Sequence, residues 1–583
     1  MSKPTAPPPG PAPFRMPDRL FTELATGGGS DEAVAFLVRG ERARRLLLLR
    51  TLLDRLTALA APPGPPAPSG PLDPPGTVWR TLKEAAERAP DAVDALLLTP
   101  STGGWLAHLL RRVHGTSGGP PLWTEAGHLA ALAVAASLRA GTEADVRVAL
   151  TDGGLHLPGL GRAVLPSPAP GATVGRARTR AGELTLSGPD HDGRTRTLRC
   201  RPATTPVGAT APDPSPGWLP LRTLTHSGGA VPLDDLDPYR DLDDPVPPAR
   251  LEEAEARAWQ ELFDQALTLV GTDGPNSRTG TGGGTGTGTV GPGRLDPAWI
   301  RAVVPWGRTA ATPPAPPTVV VSASSGDTFG AMVIARPATA LPLAETLVHE
   351  FQHSKLGALL HLFPLLDDDR AERYYAPWRG DPRHLTGLLH GAYAFTAVAG
   401  FWRDRMADPA HADGAAYYFA LRRLQSRLVA RTLLTSGGLT AQGHRLVSGL
   451  AATLDGWLRE PVPPAPLARA RTAAALHRTE WRLRNVLPGP SGALRPSPDR
   501  AAWTDRRTHA FATAPGAPRT ADDHLAAADP AAALDRYTAA LERDPADPHT
   551  LAGWIVAHAA LTPGPSARRL LARPELRQPL CSG

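Results

Sequence analysis

Glycine and proline are unevenly spread along this chain, and where they gather no core can form. Residues 1–16 are a proline-rich arm, and 62-PPGPPAPSGPLDPPG-76 is a second proline-rich stretch. The run 271-GTDGPNSRTGTGGGTGTGTVGPGR-294 has almost nothing to bury and reads as a flexible linker. Over all 583 residues 42% are apolar, enough for cores in a chain whose length allows three or four domains of about 150 residues. A wholly disordered or fibrous protein is excluded.

Between the breaks the periodicity changes in blocks. Residues 17–140 read as an N-terminal helical region. Ser30 with Asp31 and Glu32 starts a helix whose Leu46, Leu49, Leu53 and Leu56 recur at helical spacing, leaving Arg42, Arg45, Arg50 and Arg55 for a solvated face. Residues 145–245 read as a small β-rich region of short alternating segments ending in an acidic stretch, and 249–269 as a helix. After the linker, 318-TVVVSA-323 and 329-FGAMVIA-335 read as strands, and the chain is helical almost continuously from Leu343 to about 485, within a 295–485 domain. The segment 524-HLAAADPAAALDRYTAALERDPADPHTLAGW-554 has the paired small-residue helices of a tetratricopeptide-like unit, expected within 500–583 as a helical cap on the preceding helices. The expected fold class is α+β, predominantly α-helical, with a small sheet preceding the C-terminal helical domain.

Of the 62 basic residues only Lys3, Lys83 and Lys355 are lysine, a bias that fits a GC-rich genome, so abundant arginine does not itself signal phosphate binding. A net charge of +6, interleaved with 56 acids, argues against nucleic acid as a partner. Cys200 and Cys581 are too few for a disulfide framework, and there is no signal-peptide core or membrane-length apolar run. The expectation is a cytoplasmic protein with no membrane partner.

Within 343-LAETLVHEFQHSKLGALLHLF-363 stands His349-Glu350-Phe351-Gln352-His353, an H-E-x-x-H on a helix with no breaker. Histidines at i and i+4 lie on one face, about 6 Å apart along the axis, where two imidazoles can converge on one metal ion. A third ligand must come from elsewhere. His361 is two turns away along the helix. His390, the lone strongly polar residue around 387-GLLHGAYAF-395, is the better candidate, with Gly391 and Ala392 allowing close helix approach. His384 reads as a capping or surface residue.

The common reading of such a motif is a zinc peptidase with Glu350 as general base. No acid lies between Leu385 and Arg403 to serve as a third carboxylate ligand, and no H-x-x-G-x-x-H continuation follows the motif. A neutral three-histidine set suits zinc, and equally Fe(II) that must bind an oxoacid and O2 together.

The run 349-HEFQHSKLGALL-360, with 374-YYAPWRGDPR-383 and 387-GLLHGAYAF-395, resembles the HExxH-type 2-oxoglutarate-dependent peptide β-hydroxylases of actinobacterial ribosomal-peptide modification clusters. The resemblance covers about 320–410 closely and 17-PDRLFTELATGGGSDEAVAFL-37 and the helical tail more loosely; nothing in 60–290 takes part. It implies Fe(II), O2 and 2-oxoglutarate, a precursor-peptide substrate hydroxylated at a β-carbon, and other peptide-modifying enzymes as possible partners. On that pattern His349, His353 and His390 take the metal positions, with Glu350 beside them as a proton acceptor. Arg379 and Arg383 are the candidates for the distal carboxylate of 2-oxoglutarate, and Tyr374, Tyr375, Trp378 and Tyr393 could line the pocket. A zinc metallopeptidase and a non-catalytic scaffold remain the alternatives.

Overall fold

The computed structural model describes residues 14–59, 70–204, 207–209, 216–242, 244–270, 291–307, 321–496, 498, 503 and 506–576. Most of the first two proline-rich stretches and of the linker lie outside these residues, as does the start of the 318–323 strand. The chain is α+β and predominantly helical, 53% helix against 14% sheet.

Among the described residues seven helices come first: α1 (Asp18–Ala25), α2 (Asp31–Leu59), α3 (Pro75–Arg88), α4 (Pro90–Leu97), α5 (Pro100–Val113), α6 (Leu122–Ala126) and α7 (His128–Ala140). Ten strands follow: β1 (Ala144–Thr151), β2 (Gly154–Leu157), β3 (Gly161–Val164), β4 (Ala172–Arg180), β5 (Glu183–Pro189), β6 (Thr195–Cys200), β7 (Val207–Gly208), β8 (Trp218–Pro220), β9 (Arg222–His226) and β10 (Gly229–Leu233). A seven-stranded sheet runs β6-β5-β4-β1-β2-β3-β8. Its long pair is antiparallel from Ala144↔Thr179 to Thr151↔Ala172, and β1 alternates buried with open positions, as a sheet covered on one face requires. The cover is α7, whose Leu129 to Leu138 are all buried in one core with Val146, Val148, Leu155, Leu184 and Leu186.

Helix α2 departs from the expected solvated basic face. Arg45 is 0% exposed, and its Nη1 donates to the carbonyls of Leu97 and Thr99, both at 2.8 Å, at the C-terminal end of α4. Its Nε lies 3.8 Å from Glu41, itself 1% exposed. Arg50 and Asp54, by contrast, pair in solvent. Arg45 stands four residues before Leu49, ~40° from it around the axis and so on the buried face; the leucine pattern gives no sign of the carbonyl partners that let a charged residue sit there.

After α8 (Glu253–Val270) come β11 (Ala302–Pro305), β12 (Ser322–Ala323) and β13 (Ala331–Ile334). The second sheet, β12-β13-β11-β10-β9-β7, draws strands from both sides of the 271–290 stretch, so the expected division into a 145–245 region and a 295–485 domain cuts through a sheet. The join is the parallel pair Leu233↔Val303. Both β11 and β13 are buried along their whole length, the pattern of parallel strands covered on both faces. The end of the expected linker is also packed: a Cβ on Gly293, at φ +95°, would lie 2.1 Å from the backbone nitrogen of Phe401.

The remaining helices are α9 (Ala340–Leu362), α10 (Leu385–Arg405), α11 (Ala412–Thr435), α12 (Ala441–Leu458), α13 (Pro464–Asn485), α14 (Arg507–Ala510), α15 (Ala521–Ala526), α16 (Pro530–Leu541), α17 (Pro548–Leu561) and α18 (Pro565–Ala572). Helices α8 to α11 share a core with the second sheet. The α16/α17 pair buries Tyr537, Val556 and Ala557 against Leu421, Ala473 and Leu476 of α11 and α13. No helix among the described residues is long and apolar enough to cross a membrane.

Candidate metal centre

Helix α9 leaves the end of β13 and runs beneath β12, with Leu343, Leu347, Phe351 and Leu359 buried. That fixes its rotation and turns His349 and His353 to the opposite face, toward a cavity. Their Nε2 atoms are 3.1 Å apart, close to the roughly 3.3 Å separating two nitrogens on a tetrahedral ion at about 2.05 Å. A Glu350 carboxylate oxygen completes a set of three ligand atoms all within 4.8 Å of one another. The residues present fit a divalent metal ion.

Glu350 lies 1% exposed. Its Oε1 accepts from the Ser322 hydroxyl at 2.6 Å and sits 4.0 Å from His349 Nε2; its Oε2 is buried with no hydrogen-bond partner. An orphaned carboxylate oxygen beside two facing imidazole nitrogens is accounted for by a cation or a metal-bound water. Helical geometry sets Glu350 ~100° around the axis from His349, and its carboxylate still reaches within 4.0 Å of His349 Nε2.

Burial lowers the imidazoles of His349, His353 and His390 to about 4, 3 and 4, with the Arg422 guanidinium adding to the effect at His349. His349 keeps 22% of its side chain open to the cavity, but the protein around it excludes enough water for burial to dominate. All three are neutral at pH 7, the form that ligates a metal.

The structure brings His390 of α10 to the pair but only partly into the role expected. Its Nδ1 lies 3.2 Å from His353 Nδ1, the nitrogen on the other side of that ring from the one facing His349. An imidazole N–H···N bond satisfies both rings there, so His390 orients His353, as an outer hydrogen-bond partner of a ligand does. Gly391 serves a different purpose from close helix approach: a Cβ there would lie 2.0 Å from the Trp378 indole. Trp378 in turn packs on Phe395, and Phe395 on His349.

The cavity measures about 630 Å³ and reaches from His349 to His361 along α9. Arg379 and Arg383 both line it, but Arg379 is held by Asp381 in a two-pronged pair at 2.8 and 3.2 Å, so its fork is already engaged. Arg383 is only 27% exposed, with Asp381 at 3.8 Å. Arg370, which sequence reasoning missed, also lines the cavity, and Arg370, Arg383 and His384 together depress His390 beyond the effect of burial. This end of the cavity favours an anion.

The other expectations separate. Trp378 lines the cavity, whereas Tyr393 is fully buried and donates to Leu24 O at 2.9 Å, and Tyr375 bonds His477. Tyr374 bridges to Arg383 through the backbone. His384 caps α10 and bonds Asp368 at 2.8 Å. His361 lines the cavity at its far end, held by Glu41 of α2 at 2.8 Å. No signal local to 343–363 could have found that contact, because Glu41 is 320 residues away. Compared with known proteins, the chain matches no family model and no curated sequence.

Proposed function

We propose that the chain is a metal-dependent oxygenase of the Fe(II)/2-oxoglutarate type that hydroxylates the β-carbon of a residue in a ribosomally made peptide. The observation that carries the reading is the pairing, in one cavity, of a His349–His353 metal pair with a cationic end formed by Arg383 and Arg370. His349 and His353 would hold the iron, with Glu350 or His390 beside them. Iron with 2-oxoglutarate supplies O2-driven oxidation of an unactivated C–H bond. The chain's own residues do the rest: Arg383 binds the distal carboxylate, Trp378 and Phe395 exclude water on one side, and Glu350 accepts a proton or hydrogen bond at its unpartnered Oε2.

A peptide substrate is supported by the other wall. Strand β12 is the edge of its sheet and borders the cavity through Ser322 and Ala323, and an edge strand offers backbone groups to which an extended peptide can pair. Purified protein with Fe(II), ascorbate and 2-oxoglutarate should form succinate and add one oxygen to a precursor peptide, read by mass spectrometry. A zinc peptidase is favoured by one feature, the inward Glu350. Tightly bound zinc, peptide cleavage lost on Glu350→Gln and no succinate would overturn the oxygenase reading in its favour.

The two arginines should behave unequally. Arg383→Met removes a charge-assisted contact of about 1.5–3 kcal/mol, so KM for 2-oxoglutarate should rise roughly tenfold to a hundredfold. Arg379→Met, already engaged by Asp381 in solvent, should change it less than about threefold. Steady-state succinate formation against 2-oxoglutarate concentration checks both.

A further inference from the structure

A second cavity, of about 310 Å³, lies between α6, α7, β1 to β3 and the 236–248 segment, and the metal site uses none of it. Its size falls at the lower end of small-molecule sites, and apolar walls with a few polar groups at one end are their usual construction. Pro238, Val246, Pro247 and Leu155 supply apolar wall; His128, His156 and Tyr239 make the polar end.

That end is unfinished as a hydrogen-bonding structure. His128 is 7% exposed and its Nε2 has no partner. His156 Nε2 stands 2.9 Å from Asp237 Oδ2, yet neither atom makes an aligned hydrogen bond, and His156 Nδ1 has no partner either. Buried polar atoms without partners are few in folded proteins and call for a ligand, ion or water. The His128 and His156 rings are parallel with centroids 6.4 Å apart, and Tyr239 stands edge-on to His128 at 5.0 Å.

The charges around this end decide the ligand's sign. Glu125 is balanced by Arg112 at 2.7 Å and bonded to His108 at 2.9 Å. Arg162, at the mouth, donates to Thr151 O and faces Asp152. Arg240, bonded to the carbonyls of Asp237 and Pro247, offsets Asp234. His128 stays neutral, its pKa lowered to about 4 by burial. What is left over is Asp237, 1% exposed, whose one close charge partner is His156 at 2.9 Å, a partner only when that imidazole is protonated. The second set of histidines is not a metal site of the first kind: among the described residues only His349, Glu350 and His353 bring three ligand atoms together.

We propose that this cavity is a second ligand site, taking a protonated amine or guanidine on an apolar stem, with imidazole nitrogens of His128 and His156 accepting its N–H groups. Tyr239 lines the same end of the cavity. The ligand is either a free small amine or a basic side chain of a peptide.

Calorimetric titration of the full-length chain tests it with butylamine, agmatine and a capped Gly-Lys-Gly peptide, against butyrate and butanol. At least one amine or guanidine should bind one to one, at least tenfold tighter than butyrate and butanol. Binding should weaken at least tenfold in His128→Phe, which keeps the ring contacts to Trp105 and Tyr239, and in Val246→Trp, which fills the cavity from a loop. His353→Ala should leave it unchanged. Preference for butylamine or agmatine assigns the site to free amines, and preference for the peptide assigns it to a basic side chain. Absence of saturable binding, equal binding of butyrate or butanol, or binding that survives Val246→Trp overturns the proposal.

Discussion

His353→Ala should cost the chain its metal and all its turnover while leaving it folded. The ring contributes one of two facing nitrogens 3.1 Å apart and lines an open cavity, so its loss removes a ligand without opening a core. Four-ligand zinc sites in peptides are worth about 10–16 kcal/mol, or roughly 3 kcal/mol per ligand, which predicts a loss of metal affinity of about a hundredfold or more. His390→Ala should cost less, about 10–100-fold, because its contact is to the other side of the His353 ring. Metal content after dialysis, with titration of Fe(II) under argon and circular dichroism for the fold, measures both. Equal losses would make His390 a direct ligand. Function retained in His353→Ala would leave the scaffold reading standing.

Arg45→Met should destabilise the N-terminal half by about 3–5 kcal/mol, the cost of breaking a buried ion pair from one side. The substitution removes the Arg45 bonds to Leu97 O and Thr99 O and leaves Glu41, 1% exposed, with only His361 at 2.8 Å and Arg44 at 3.6 Å against its charge. Burial lowers the Arg45 guanidinium only to about 10, so the pair is charged at neutral pH. The melting temperature should fall by roughly 6–12 °C. Adding Glu41→Leu should recover part of that loss, since an apolar pair of similar volume replaces a buried ion pair at little cost. Arg50→Met, on the same helix and paired with Asp54 in solvent, should move the melting temperature by less than about 2 °C. Differential scanning fluorimetry of the four proteins decides it. A wild-type-like Arg45→Met would mean that the buried network carries no stability.

The contrast between Arg45 and Arg50 shows where reading a sequence stops. Arg45 stands one turn before Leu49, on the buried face, whereas Arg50 lies ~100° around the axis from Leu49. What the pattern does not carry is the partner: the carbonyls at the C-terminal end of α4 that receive the Arg45 guanidinium. Asp234, Asp235, Asp237 and Asp241 are a similar case: an acidic run that looks solvated is buried, where Asp234 and Asp237 accept backbone N–H groups of their own turns. Arg379 and Arg383, four residues apart in one loop, were equal candidates until Asp381 engaged the first.

What the sequence alone determined is local and periodic. The helix over 343–363 and the shared face of His349 and His353 follow from spacings of three and four residues along an unbroken helix; the nearly continuous helix expected on to 485 is instead divided, with 363–384 lying outside any helix. What only the tertiary structure decided is non-local. The parallel pairing of Leu233 with Val303, the hold of Glu41 on His361, the side from which His390 meets His353 and the second cavity all join residues that are distant in the chain. The physical reason is that helical periodicity is set by bonds to the fourth residue back, whereas these contacts are selected by burial and charge compensation, which exist only once the layers have closed.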